Sequence, residues 1–415
     1  MMRANDPRPL APESASVESC RGLCQPAIPR ELPGVATPLD PLQYFNDMID
    51  HCYDYAAAAK GQGRPIVGIM CEFTPRELIL AAGAVPVCLC GGSAATIPAA
   101  EQFLPANLCP LIKSTFGYQV TGKNPFLKWA DLVVAETTCD GKKKMFELLG
   151  ASKPMYVLAL PQKADDADAF EHWVGEMRKL KGHLETRFGV SITDAKLGAA
   201  IQLMNRERGL RRQLADLMAA DPPPLTGRQL LACKSTISGM EADLQQYARA
   251  LQWFSEGHRS ALARAQKPVR VLLTGVPLVQ GAERVLELIE SCGAVVVCQE
   301  NCTGLKPILE DVDRNDPDPL RALAKKYYHL PCSVLTPNQR RSESLRALAA
   351  KFRPQCIIDL VWHACLTYDV EAYQVRKLAE EELHLPYLKI TTDYSPADSA
   401  RISARVEALL ETARG

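Results

Sequence analysis

Six cysteines stand singly in this chain at places suited to metal chemistry: Cys71, Cys109, Cys139, Cys302, Cys332 and Cys365. They are part of an unusual total of fifteen in 415 residues. An odd count without the close spacing of a small disulfide scaffold points away from disulfides and toward metal or redox work. The nearest neighbours among the six, Cys109 to Cys139 and Cys302 to Cys332, are 30 residues apart. Structural zinc is usually held by Cys pairs two to four residues apart, and the six show no such pair. Dispersed single thiolates suit a centre assembled from distant chain segments, and on spacing alone iron–sulfur and zinc both stay open. The other cysteines have a plainer reading. Cys52, Cys88, Cys90, Cys233, Cys292, Cys298 and Cys356 lie in apolar runs or helical faces, where cysteine serves as a small buried apolar residue. Cys20 and Cys24 are expected to be free thiols in a leader.

The elements that must position the six follow an alternating pattern. Strands are expected at 65–70, 85–89, 131–135 and 155–160, with helices at 41–60, 75–82 and from Cys139 to Leu149; residues 90–130 read as a polar segment around Cys109-Pro110. Long helical periodicity then dominates from Asp165 to Gln266. The alternation resumes with strands at 269–273, 294–297, 356–361 and 387–390, and helices at 282–291, 343–351, 370–381 and 399–412. Strands alternating with helices imply parallel sheets joined by right-handed crossovers. The expected fold is α/β: two Rossmann-like lobes with parallel sheets, a helical segment between them and a cleft where the lobes meet. The boundaries read as a disordered leader over 1–37, a first lobe over 38–165, the helical segment over 166–266 and a second lobe over 267–415. Glu77–Val87 echoes Glu287–Val297, each a helix, a glycine stop and a strand, which suggests a duplicated lobe.

In open α/β sheets ligands bind beyond the carboxyl ends of the strands. Cys71, Cys139, Cys302 and Cys365 each follow a predicted strand, and Cys109 and Cys332 lie in loops beside prolines. Cys139-Asp140-Gly141 and Cys302-Thr303-Gly304 look like helix N-termini, whose free N–H groups and dipole stabilise thiolate.

Composition narrows the partners. Hydrophobic residues make up 47% and the formal net charge is zero, so nothing calls for nucleic acid or an acidic membrane surface. No apolar run of membrane-spanning length is present. The leader lacks the apolar core of a signal peptide, so a cytoplasmic location is expected. The chain has neither a G-x-x-x-x-G-K-[ST] loop nor a convincing G-x-G-x-x-G motif.

Several motifs resemble one family. Gly68-Ile69-Met70-Cys71-Glu72-Phe73-Thr74-Pro75-Arg76-Glu77-Leu78 followed by Ala82-Gly83-Ala84-Val85-Pro86, Cys109-Pro110-Leu111-Ile112-Lys113-Ser114, and Thr138-Cys139-Asp140-Gly141-Lys142-Lys143-Lys144 are similar to the opening motifs of 2-hydroxyacyl-CoA dehydratase subunits. Thr274-Gly275-Val276-Pro277, Glu300-Asn301-Cys302-Thr303-Gly304, His363-Ala364-Cys365-Leu366-Thr367-Tyr368 and Thr392-Asp393-Tyr394 extend the likeness over about residues 40–412. The resemblance implies an iron–sulfur cluster between two lobes. Three cysteines hold one 4Fe–4S cubane in the dehydratase subunits, and Cys109, Cys139 and Cys365 match them. Cys71, Cys302 and Cys332 would be further ligands, and six ligands resemble the double-cubane reductase branch, with an 8Fe–9S cluster or two 4Fe–4S cubanes. That branch implies a homodimer acting on a small molecule, with an ATP-hydrolysing 4Fe–4S activator dimer as electron source. The alternatives are a dehydratase subunit with one 4Fe–4S cluster, a non-enzymatic electron-transfer or cluster-storage protein, and a zinc-stabilised scaffold.

Glu72, Glu136 and Glu300 lie at strand ends and are candidates to relay protons, with a structural or solvated carboxylate as the plainer reading. His363, two residues before Cys365, is a candidate proton donor or sulfur hydrogen-bond partner, or else a satisfied core histidine. Lys113, Ser114 and Lys142 are candidate cofactor contacts. Lys142, Lys143 and Lys144 read equally well as a solvated helix face.

Overall fold

The computed structural model describes residues 40–258 and 268–414. The expected leader over 1–37, with Cys20 and Cys24, and the end of the helical segment lie outside the described residues.

Eight strands form two four-stranded parallel sheets. The first contains β1 (Ile66–Ile69), β2 (Val85–Cys88), β3 (Leu132–Glu136) and β4 (Met155–Leu158), in the order β2-β1-β3-β4. The second contains β5 (Val269–Gly275), β6 (Ala294–Glu300), β7 (Cys356–Trp362) and β8 (Tyr387–Thr392), in the order β6-β5-β7-β8. The two sheets share one topology, which is how the short echo between Glu77–Val87 and Glu287–Val297 appears in three dimensions. Every residue of β1, β3, β5, β6 and β7 is buried. Strands covered on both faces need largely apolar runs; β5 and β7 supply them apart from Arg270, whose guanidinium donates to Met218 O, Ala220 O and Phe352 O, and Asp359, which accepts from Tyr387 Oη.

The α-helices of six or more residues, in chain order, are α1 (Met48–Gly61), α2 (Arg76–Ala81), α3 (Pro110–Thr121), α4 (Asp140–Gly150), α5 (Ala167–Phe188), α6 (Asp194–Asp216), α7 (Gly227–Ala232), α8 (Glu241–Ser255), α9 (Arg284–Ser291), α10 (Pro319–Tyr328), α11 (Gln339–Phe352), α12 (Leu366–Lys377) and α13 (Ser399–Arg414). Their ends follow ordinary capping chemistry. Asp166 accepts a hydrogen bond from Ala169 N, Thr193 from Lys196 N, and Thr226 closes a capping box with Gln229. None of the described helices is long and apolar enough to cross a membrane.

Two helices differ from expectation. The polar segment around Cys109 contains α3, with Pro110 in its first turn and Gly122 in the left-handed stop conformation. It carries no clear apolar stripe because it is packed on several sides: Lys113, Ser114 and Thr115 are buried along with Phe116. The second is α10, which no expected element covers.

Residues 312–335 pack against the first sheet. Leu320, Leu323, Tyr327, Cys332 and Leu335 share a core with β1, β3 and α5. In the other direction, Ile237 bridges to Val87, and Cys88 N donates to Thr236 O at 2.7 Å on the edge of β2. A buried ion pair fastens these layers. Arg208 of α6 donates to Glu77 of α2, and Tyr327 Oη of α10 donates to the other Glu77 oxygen at 2.8 Å. Glu77 and Arg208 are 0% and 3% exposed.

Candidate metal centre

All six single cysteines lie on the side of the sheets where parallel strands end. Cys71 follows β1 and Cys139 follows β3, and these adjacent strands bracket the point where the chain reverses direction across the first sheet. Such switch points open a crevice at the sheet's carboxyl edge. Cys365 follows β7 beside the equivalent point of the second sheet.

The structure brings the six together as two sets of three. In the first set, the Cys109 and Cys365 thiols lie side by side and Cys139 lies within electrostatic reach of both. The contact with Cys365, and then the N–H groups of Leu111 and Ile112, hold the Cys109 thiol below its usual range. Each cysteine of this set is the N-cap of a helix: Cys109 of α3, Cys139 of α4 and Cys365 of α12. Three helix N-termini converge on it, each offering free N–H groups and the positive end of a dipole.

In the second set, the Cys302 and Cys332 thiols lie side by side and Cys71 lies within electrostatic reach of both. Burial pushes the Cys71 thiol up to about 12. No long helix starts here. The expected helix after Cys302 is a turn leading into the three-residue 3-10 segment Lys306–Ile308. The turn is held by Asn301, whose Oδ1 accepts from Thr303 N, Thr303 Oγ1 and Gly304 N. Cys332 is held in its loop by Asn338 Nδ2, which donates to Cys332 O at 2.9 Å, and Thr336 N anchors that loop to Gln162 O at 2.7 Å.

The sets adjoin. Ser333 Oγ, one residue past Cys332, donates to Thr367 Oγ1, two past Cys365, at 3.1 Å. Lys142 spans both: its backbone N–H faces Cys139, and its buried ammonium donates to Met70 O, next to Cys71. Burial opposes that ammonium's charge, but Cys71, Cys90 and Glu136 outweigh it and raise the lysine's pKa. Among the described residues no three His, Cys, Asp or Glu side chains close on a point that would hold one metal ion. A cubane is a body several ångströms across with thiolates at its corners. Two open sets of three soft sulfur donors fit that group better than a single tetrahedral ion.

The remaining candidates are placed unevenly. Lys142 is buried, whereas Lys143 and Lys144 pair with Asp140 and Glu147 at the surface. Lys113 is turned away from the cysteines, its ammonium taken up by Glu101 Oε1 and Ala106 O, both at 2.7 Å. Ser114 Oγ accepts from Ser93 N at 2.9 Å and joins Thr96 in fastening a loop. Glu72 pairs with Arg76 at 2.8 Å. His363 is exposed on the turn before Cys365, its backbone N–H donating to Thr392 O. Glu300 is locked at 0% exposure: Thr274 Oγ1 and Arg341 Nε reach one oxygen at 2.5 and 3.3 Å, and Lys306 Nζ the other at 3.1 Å.

Other residues near the cysteines were missed or undervalued. Cys90, read as a plain buried residue, is half-buried; its Sγ donates to Met70 O at 3.2 Å, and it neighbours Cys71. Its alternation with Cys88 on the end of β2 was the available signal. Tyr394 is buried near Cys109, Cys90 and Cys365, and among the described residues its hydroxyl has no hydrogen-bond partner. Glu136 ends β3, fully buried, with Oε1 accepting from Thr74 Oγ1 and Oε2 without a partner among the described residues. Burial, helped by Glu72 and opposed by Thr74, Lys142 and Arg76, raises its carboxyl to about 7.

Two Rossmann-like lobes meeting at a cysteine-rich crevice define the class, and the comparisons name it: the chain belongs to the family described as 2-hydroxyglutaryl-CoA dehydratase, D-component, which matches residues 71–413. Among its relatives, a putative dehydratase subunit, YjiM, of Escherichia coli (strain K12) is 39% identical over 85% of this chain and 92% of the relative. The lactoyl-CoA dehydratase subunit beta of Anaerotignum propionicum is 24% identical over 86% and 93%. A benzoyl-CoA reductase subunit of Thauera aromatica is 22% identical over 66% and 72%.

Proposed function

We propose that this protein is the iron–sulfur catalytic component of a two-component, low-potential reductase of small molecules. Cys109, Cys139 and Cys365 would hold one cubane, and Cys71, Cys302 and Cys332 the other, of an 8Fe–9S double-cubane cluster. The observation that carries the reading is the sorting of six dispersed cysteines into two adjoining sets of three. Three thiolates leave one iron of a cubane without a protein ligand, and when bound such a cluster supplies one-electron chemistry at low potential. A separate ATP-hydrolysing 4Fe–4S activator is the electron source, and a cytoplasmic homodimer the working form. The protein's own part is to exclude water around Cys71, Cys302 and Cys332, to present helix N-termini to Cys109, Cys139 and Cys365, and to keep a proton on Glu136 near neutral pH. Glu136 is the stronger candidate for proton delivery, because Glu300 is committed to ion pairs with Lys306 and Arg341.

A second reading has support of its own: a dehydratase subunit with one 4Fe–4S cluster on Cys109, Cys139 and Cys365. Its motive is the set of three helix N-termini, together with relatives named as dehydratase subunits. Iron and acid-labile sulfide, measured on anaerobically purified chain, separate the two. About eight irons per chain support the double cubane, and about four support the single cluster.

A further inference from the structure

The two cysteine sets are supplied with counter-charge by different means. The first sits on the N-termini of α3, α4 and α12. The second has no helix longer than three residues starting at any of its cysteines, although Cys332 is buried and Cys302 half-buried. A cluster's thiolates and sulfides carry net negative charge, which a low-dielectric site tolerates only with fixed positive charge or hydrogen bonds nearby. We infer that Lys306 is the positioning cation of the second set: an ammonium built into the fold to bear the negative charge gathered at Cys302 and Cys332.

Lys306 lies four residues past Cys302, and its side chain is 1% exposed. Its ammonium donates to Tyr368 Oη at 3.0 Å and pairs with Glu300 Oε1 at 3.1 Å. Cys302 and Cys332 both lie within its electrostatic reach. Arg341 backs the arrangement by taking the other Glu300 oxygen and donating to Thr274 Oγ1 at 2.9 Å. Tyr368 is held between the two cations, 5.2 Å from Lys306 Nζ and 5.0 Å from Arg341 Cζ. It sits one turn into α12, the helix capped by Cys365, so the Lys306–Tyr368 bond ties the second set's cation to a helix of the first. A buried lysine fixed by a carboxylate and a tyrosine hydroxyl, with two thiols within its electrostatic reach, is a held charge, not a stray one.

This inference rests on the iron–sulfur reading above. Its test reads the cluster's midpoint potential by EPR-monitored redox titration of the anaerobic full-length protein, with iron and sulfide analysed in parallel. Removing a positive charge beside the cluster disfavours its reduced, more negative state. Lys306→Met should keep the iron content and move the midpoint to more negative potential, Glu300→Gln should move it to more positive potential, and Lys306→Arg should return it close to wild type. If Lys306→Met does not fold because Glu300 is left under-compensated, Lys306→Met/Glu300→Gln replaces it and should lie negative of Glu300→Gln. Unchanged potentials, or the same direction for both single substitutions, with the cluster intact, overturn the inference and leave the iron–sulfur reading standing. A wild-type chain that binds no iron overturns both.

Discussion

Glu136→Gln should remove a pH dependence of stability that the fold imposes. In the unfolded chain this carboxyl ionises near 4.5, and in the folded protein burial holds it to about 7. A carboxyl whose folded-state value is raised keeps a proton that the unfolded chain releases. Stability is therefore full below about pH 4.5, falls as pH rises, and levels off above about pH 7. The shift corresponds to about 3 kcal/mol at about 1.4 kcal/mol per pH unit, of which about 2.5 kcal/mol is lost between about pH 5 and pH 8. Glutamine keeps the shape and cannot ionise. Urea unfolding of metal-free wild type and Glu136→Gln, under reducing conditions at both pH values, gives the quantity directly. Subtracting one protein from the other cancels every other titrating group. Wild type should lose about 2.5 kcal/mol more than the variant on going to the higher pH. Parallel behaviour of the two would mean that Glu136 is solvated or already ionised, and the argument from burial would fail.

Other outcomes follow from the same geometry. Cys365→Ser and Cys332→Ser fall in different sets, so each should leave about half the wild-type iron; loss of iron only from Cys365→Ser would favour the single-cluster reading. Arg208→Met leaves Glu77 buried without its cation and should destabilise by about 3–5 kcal/mol in urea, with Glu77→Gln/Arg208→Met recovering most of it. If the double variant is as unstable as the single, the ion-pair account is wrong. Gly275, at φ +107°, ends β5 where an added Cβ would meet the Leu360 carbonyl. Gly275→Ala should therefore cost about 2 kcal/mol or more, and an unchanged unfolding midpoint would refute the close approach.

The sequence by itself determined the strands, the parallel architecture and the six cysteines worth watching. Val269–Gly275 and Cys356–Trp362 were legible because strands buried on both faces must be largely apolar, with Arg270 and Asp359 the charged exceptions. Cys71, Cys139 and Cys365 were legible because they follow such runs, where parallel sheets leave their crevices. Helix α3 was not, since a helix packed on several sides shows no single apolar stripe. The grouping of the cysteines was not legible either. Cys332 meets Cys302 and Cys71 only because residues 312–335 pack onto the first sheet, a contact between segments more than a hundred and fifty residues apart. Likewise, nothing in Lys142-Lys143-Lys144 says that the first lysine is buried on Met70 O while the other two face solvent. Local pattern sets which backbone forms because it acts between near neighbours; which thiols and charges share one enclosed space is decided by how distant segments close over it.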